Sequence, residues 1–347
     1  MGEPGLAGPN PSSSSLVRAG SFTTDDPCAH EQATAPWDCV VTPLSRGPYK
    51  QILHFLASPG LTLYREQILI RARVQGLSPS GVLCFAVPLR VGSDTRFWAA
   101  PLHEIGLPVT LPDGVHTEFS PGQQHLMALI DLGLLRQSVP FDLCDSIETT
   151  ATATNRHVAP ASAAAVARLG ATLNTLLDTA QKHPEMLCHS NAVHCMQQDV
   201  IAAFCRSLSL PLSAPRRVKA SLRQRGLNRA IEYLRTADTA LVTVADLCTA
   251  ASVTERTLQY AFRESFGLSP LGFLHLRRYH AARRDLLAAD SRMSTVQEIA
   301  QYNGFYQMGR FAVRYKSLFG ESPSQALLKP PLETQSGLPS WQRLSLR

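Results

Sequence analysis

The chain lacks the cysteine spacing of a structural zinc site. Its eight cysteines (Cys28, Cys39, Cys84, Cys144, Cys188, Cys195, Cys205 and Cys248) are scattered over 347 residues with no Cys-x2-4-Cys knuckle, and structural zinc sites ordinarily draw ligands from two such knuckles. The run Cys188-His189 followed by His194-Cys195 offers two Cys and two His from a single stretch, and reads better as helix surface and core. Most cysteines lie in apolar settings such as Val82-Leu83-Cys84-Phe85, as reduced, buried thiols do in a cytoplasmic protein. No secretory leader is read. No apolar run approaches the ~20 residues that cross a bilayer, the longest, Val82 to Leu89, being interrupted by Pro88. A cytoplasmic protein without metal, cofactor or membrane association is therefore the expectation.

What the chain has in excess is local positive charge. Between Arg216 and Lys329 there are 18 Lys and Arg against 9 Asp and Glu, a net +9, whereas the whole chain is +6. Clustered cations of this kind suit a duplex, whose phosphates release counterions when neutralised. The 44% hydrophobic content and the length point to a globular chain of two or three domains.

Residues 1–35 are rich in Gly, Pro and Ser, including Ser12-Ser13-Ser14-Ser15, and read as a disordered arm. From 36 to 150 short apolar runs alternate with the turn signals Pro59-Gly60, Pro79-Ser80-Gly81, Pro112-Asp113-Gly114 and Pro121-Gly122. The runs Leu61–Tyr64, Gln67–Ile70, Val82–Val87 and His125–Ile130 predict strands of a small sandwich or barrel. Residues 151–215 switch to helical spacing (Val166, Leu169, Leu173, Leu176, Leu177), broken by Pro184, and form a helical connector and candidate dimer contact. Arg216-Arg217-Val218-Lys219 reads as an exposed linker, 222–328 as an all-α basic domain, and 329–347, from Pro330-Pro331 onward, as a loose tail. The fold class is thus α+β.

The basic domain repeats one grammar twice. In the first copy Thr243 caps a short helix, Cys248 is the small residue at the crossing, Ser252-Val253 make a turn and Thr254 caps a second helix hiding Leu258, Ala261, Phe262 and Phe266. In the second, Ser294-Thr295 opens the helix, Ala300 sits at the crossing, Gly304 supplies a positive-φ turn, and a helix from about Gln307 to Phe319 hides Phe311, Tyr315, Leu318 and Phe319. These helix-turn-helix units span 244–265 and 296–319. A helix starting at Pro270 joins them, and a rigid spacer holding two recognition helices about one duplex turn apart, roughly 34 Å, lets both enter successive major grooves.

Gly304-Phe305 through Arg310-Phe311 to Tyr315-Lys316-Ser317-Leu318-Phe319-Gly320-Glu321-Ser322-Pro323 resembles the second helix-turn-helix signature of AraC/XylS-type regulators, and the resemblance covers Gly226 to Leu327. The wording Met308-Gly309-Arg310-Phe311 and the opening Val41–Gly47 resemble the branch of ethanolamine-operon regulators. The resemblance implies base contacts from Arg256, Gln259 and Tyr260 with Arg263 nearer the phosphates, and, in the second unit, from Met308, Gly309, Arg310 and Val313 with Arg314 and Lys316 on phosphates. Arg suits guanine O6 and N7, and Gln suits adenine N6 and N7. Arg278 and Arg283 read as structural or phosphate-facing. Ser252 stands where Gly is usual, and Cys248 where Ala is. The resemblance further implies a transcription activator that is not an enzyme, with double-stranded DNA and RNA polymerase as partners, a cupin-like β domain sensing a small-molecule effector, and a candidate homodimer. The His-x-His metal pattern of cupin enzymes is missing, since His54, His103, His116 and His125 stand apart; Phe85, Trp98 and Tyr64 are candidate pocket aromatics, and no ligand contact is assigned. A rival reading, a DNA-targeted alkylation-repair methyltransferase, needs clustered N-terminal cysteines, and Cys28 and Cys39 are not clustered.

Overall fold

Apolar residues on alternate positions, separated by tight reversals, make the first half of the chain antiparallel strands. The computed structural model describes residues 17–329, apart from 46, 98–99, 102–106, 111–113, 153–157, 160 and 210–221. Trp98, His103 and the linker Arg216–Lys219 lie outside the described residues, as do Arg46 and the tail from Pro330.

The strands are β1 (Arg18–Thr24), β2 (Asp38–Pro43), β3 (Gln51–Ser58), β4 (Leu61–Ile68), β5 (Ala72–Leu77), β6 (Val82–Arg90), β7 (Arg96–Phe97), β8 (Ala100–Pro101), β9 (Leu107–Thr110), β10 (Gly114–Phe119), β11 (Gln123–Asp131) and β12 (Val158–Ala159). They form one sheet in the order β1-β3-β4-β11-β6-β9-β12 and a second in the order β2-β5-β10-β7-β8. A short helix, α1 (Pro27–Ala33), joins β1 to the second sheet.

Two sequence expectations change here. Residues 18–33, read as part of a disordered arm, are ordered: β1 pairs with β3 along its whole length, from Arg18 opposite Ala57 to Thr24 opposite Gln51. α1 begins with the Asp26 carboxylate accepting from the Cys28 amide and Pro27 in its first turn. An edge strand exposes much of one face, so its small polar residues are no sign of disorder. Second, the runs Leu61–Tyr64 and Gln67–Ile70 are one strand, β4, ending at Ile68. Arg65 and Glu66 do not interrupt it because Arg65 turns out to Asp178 and Asn174 while Glu66 turns in.

After β11 come α2 (Leu132–Ser138), α3 (Phe141–Thr152), α4 (Ala163–Lys182), a 3-10 turn (Pro184–Leu187) and α5 (Ser190–Ser207). α4 and α5, whose packing partner the sequence left open, lie against the larger sheet. Leu169, Leu173, Leu177, Val200, Ile201 and Phe204 pack into the same core as Leu56, Leu63, Phe85, Leu126 and Ile130 of the larger sheet. Phe85 and Phe204 stack with ring centroids 4.4 Å apart. Cys188 and Cys195 are exposed, whereas Cys84 and Cys144 are buried. Among the described residues no helix is long and apolar enough to cross a membrane.

The C-terminal part is helical: α6 (Leu222–Thr236), α7 (Val244–Ala251), α8 (Glu255–Phe266), α9 (Pro270–Ala288), α10 (Val296–Tyr302), α11 (Met308–Phe319) and α12 (Pro323–Leu327). Two cores share α9. One gathers Leu227, Ile231, Leu247, Leu258, Phe262, Phe266 and Phe273, the other Tyr279, Leu286, Ala300, Phe311, Tyr315 and Leu327. Each reaches into the β-rich part, the first through Leu77 and the second through Cys28.

Candidate nucleic-acid interface and the cavity behind it

The first unit is built from α7 and α8. Thr243 and Asp246 cap α7 reciprocally, the Thr243 hydroxyl accepting from the Asp246 amide at 3.2 Å while the Asp246 carboxylate accepts from the Thr243 amide at 2.9 Å. The Thr243 hydroxyl, which also donates to that carboxylate at 2.7 Å, and then the Thr243 amide hold the Asp246 carboxyl below its usual range. The turn closes at Ser252, whose φ of +53° and ψ of 43° are left-handed, and Thr254 then caps α8. Gly226 of α6 lets Val253 of the turn approach so closely that a Cβ would lie 2.7 Å from its methyl group.

On the outer face of α8, Arg256, Tyr260 and Arg263 are exposed and Gln259 is half-buried. The guanidinium groups of Arg256 and Arg223 lie 5.7 and 5.6 Å from the Tyr260 ring, and Gln259 donates to the Glu255 carboxylate at 3.0 Å. A ring face holds a planar guanidinium and leaves its N–H donors available; Arg223 also pairs with the Glu264 carboxylate at 3.2 Å. Arg223 escaped the sequence reading because it comes from α6, outside the helix-turn-helix pattern.

The second unit repeats the construction. Thr295 and Glu298 form the same reciprocal cap on α10, Ala300 is fully buried, and Gly304 turns with φ +81°. Gly309, Arg310, Val313, Arg314 and Lys316 are exposed on α11, and Met308 is half-buried against the core. Tyr306 and Tyr302 stand 79% and 77% exposed beside them. Those two tyrosines were passed over in the sequence because they precede α11, and only the short turn before the helix brings them to its outer end. Arg278 donates to the carbonyl oxygens of Thr239 (3.0 Å) and Val242 (2.7 Å), so it fastens the loop before α7. Arg283, 4% exposed, bridges Glu321 (2.5 Å) and Asp26 (3.3 Å).

Residues 247–328 match the family described as "Helix-turn-helix domain". The C-terminal part is a helix-turn-helix domain. It is 42% identical over 102 residues to the probable thc operon regulatory protein of Rhodococcus erythropolis, a match covering 29% of this chain and 31% of that one. It is 27% identical over 99 residues to XylDLEGF operon transcriptional activator 2 of Pseudomonas putida, covering 28% of this chain and 63% of the relative. The chain thus spans less than two thirds of the length of either. Superposition on ToxT from Vibrio cholerae covers 90% of this chain and 98% of that one at 10% identity, with a TM-score of 0.35.

The helix-turn-helix domain rests on the β-rich part through polar contacts. Gln75 donates to the Phe266 carbonyl at 2.5 Å, Arg235 to the Ser78 carbonyl at 2.5 Å, and Arg277 pairs with Asp38 at 2.6 Å. The Glu31 carboxylate of α1 lies 2.7 Å from Nδ1 of His280, a fully buried residue of α9, and accepts from the Val41 amide at 2.8 Å. Cys28, Glu31 and His280 bring one donor atom each within 4.8 Å of one another. Arg284, 3.6 Å from Glu31, puts a positive charge beside that group, and burial pushes the Cys28 thiol well up.

Between the two sheets lies a cavity with an empty volume of about 670 Å³, its mouth included. Aromatic and aliphatic groups form most of its wall, among them Trp37, Tyr64, Phe85, Phe97, Phe119 and Met127. Glu66, His30 and His125 make its polar side. Glu66 sits 2.7 Å from Nε2 of His30 and 3.2 Å from Nε2 of His125, and accepts from Gln51 at 2.8 Å. Burial alone would push the Glu66 carboxyl up, but the two imidazoles more than offset it and hold the group well below the usual carboxylate range. His125 does not stand apart from every other histidine, as its isolation in sequence implied, because β11 pairs with β4 and brings it opposite Glu66. His30 lies in the segment read as an arm and was missed; the Asp26-Pro27 helix start was the signal available.

Proposed function

We propose that this chain is a DNA-binding transcription regulator of the AraC/XylS type, controlled by a small molecule held in the β-rich part. The observation that carries the reading is the pair of capped helix-turn-helix units on either side of α9, each presenting exposed Arg side chains on its outer face. At 1.5 Å per residue the 19 residues of α9 extend about 28 Å, close to the roughly 34 Å between successive major grooves on one face of a duplex. Arg256, Gln259 and Tyr260, with Arg310, Gly309, Met308 and Val313, then face base edges, and Arg263, Arg314 and Lys316 face phosphates. The names of the Rhodococcus and Pseudomonas relatives, an operon regulatory protein and an operon activator, support a role in transcription and favour activation, with RNA polymerase as a partner. The Met308–Phe311 wording supports a narrower place near ethanolamine-operon regulators. A second copy of the chain is a further candidate partner.

α1 offers a route from effector to DNA. Its successive residues His30 and Glu31 contact the cavity cluster and His280 of the spacer helix. A ligand that displaces His30 therefore acts on α9 through one rigid turn.

Selection of bound fragments from genomic DNA, followed by footprinting, tests the reading. Two protected half-sites about ten base pairs apart on one face are expected. Uniform protection of random duplex at physiological salt would overturn it.

A further inference from the structure

We infer that the cavity takes an uncharged, mainly apolar compound bearing one hydroxyl or amide N–H, and that Nδ1 of His125 receives that hydrogen. The inference rests on the reading above that the β-rich part holds an effector, and it adds the chemical class.

The hydrogen-bond accounting begins at Glu66. A carboxylate only accepts, so the hydrogens between Glu66 and the two imidazoles sit on Nε2 of His30 and Nε2 of His125. His30 has its other nitrogen met by the Tyr49 hydroxyl. His125 has none: its Nδ1 is buried without a hydrogen-bond partner among the described residues. In the tautomer with its single hydrogen on Nε2, Nδ1 presents a lone pair, in a residue 2% exposed that lines the cavity. A buried acceptor left without a partner is costly, and a ligand O–H or N–H removes that cost.

Charge selects against the alternatives. Among the described lining residues there is no Lys or Arg, so a ligand carboxylate finds no counter-charge. It also brings only acceptors to Nδ1, itself an acceptor, and meets the carboxylate of Glu66 at short range. A ligand cation gains little from Glu66, which already accepts from His30, His125 and Gln51. Apart from the indole N–H of Trp37, likewise buried without a hydrogen-bond partner among the described residues, the remaining wall, with Phe119 stacked on His125 at 5.2 Å, rewards an apolar body.

Calorimetric titration of the full chain with 3-phenylpropan-1-ol, 3-phenylpropanamide and 3-phenylpropanoate, three compounds of one shape, tests this. The alcohol and the amide are expected to bind at least tenfold more tightly than the carboxylate. His125→Gln places its amide nitrogen near the Nε2 position, keeping the donation to Glu66 while deleting Nδ1. It is expected to weaken the alcohol about tenfold with the melting temperature little changed. A carboxylate that binds as well as the alcohol, a folded His125→Gln protein with unchanged alcohol binding, or no binding of any probe would each overturn the inference. Should the variant not fold, the ranking on the unaltered protein decides alone. Footprinting the same samples separates the two claims: sequence-specific protection without the expected probe ranking sinks only the ligand class, whereas the probe ranking without sequence preference on DNA sinks the regulator reading.

Discussion

Ser252 is the one described residue other than glycine in the left-handed region, at the turn that sets the angle between α7 and α8. A Cβ there costs on the order of 1 kcal/mol, so Ser252→Gly is expected to raise the unfolding free energy read from urea titration, by up to about 1 kcal/mol once the greater freedom of the unfolded glycine is counted. The second unit makes the opposite test. Gly304 turns at φ +81°, and a Cβ there would lie 3.0 Å from the Ala240 carbonyl oxygen. Gly304→Ala should therefore lower the unfolding free energy by roughly 1–2 kcal/mol. If both substitutions move stability the same way, backbone strain is not what distinguishes these turns. Base reading has its own test at this scale. Arg256→Ala and Arg310→Ala should each cost about 1–3 kcal/mol on the preferred site and relax selectivity at one or two positions, while Lys316→Ala weakens all sequences alike. Competition binding against random duplex measures the difference, and equal losses on both DNAs would show the two arginines to be phosphate contacts.

At the scale of elements, what could be read in the sequence was what is locally encoded. The Thr caps, the small residue at each crossing and the spacing of Phe262, Phe266, Phe311 and Tyr315 lie within single helices or adjacent pairs, and α7, α8, α10 and α11 follow from them. What could not be read depends on partners distant in the chain. β1 is held by β3, α1 is held by the spacer helix, and the acid–imidazole cluster exists because β4, β11 and α1 converge on Glu66. α4 and α5 read correctly as amphipathic helices, but nothing local said that their apolar faces meet the larger sheet. The α1 contact carries a prediction. Arg283 is buried between Asp26, which caps α1, and Glu321, and its guanidinium lies 4.8 Å from the Phe319 ring. Arg283→Ala leaves both carboxylates short of a counter-charge, Glu321 keeping only Lys329 at 2.7 Å. A loss of roughly 3 kcal/mol is expected in denaturant titration; a loss below about 1 kcal/mol would mean that α1 is not anchored through this residue.

At the scale of the molecule, the β-rich part and the helix-turn-helix domain meet over a surface that holds a half-buried imidazole. His116 of β10 lies against Gly267 at the end of α8, where a Cβ would collide with the imidazole, and its Nδ1 is buried without a partner among the described residues. Burial first, then the positive charge of Arg73, lowers its pKa below the ordinary 6.5, with Glu118 opposing. Glu118 is itself engaged by Arg73 at 2.6 Å and Arg71 at 3.0 Å, which limits what it offers His116. Above about pH 6.5 the imidazole is neutral in folded and unfolded chains alike and contributes no pH dependence. As pH falls below that value the unfolded chain takes up the proton first, so stability declines until the folded-state value is passed and then levels off. His116→Gln should remove this component, so that the stability difference between variant and unaltered protein changes between pH 7.5 and pH 5 in favour of the variant. Urea unfolding at the two pH values measures it, and a difference independent of pH would show that the imidazole titrates no differently in the folded chain. Because the group lies where the two parts touch, the same acidification should loosen the contact before either core opens, which amide hydrogen exchange in β10 and at the end of α8, followed at both pH values, would register as faster exchange in the unaltered protein than in the variant.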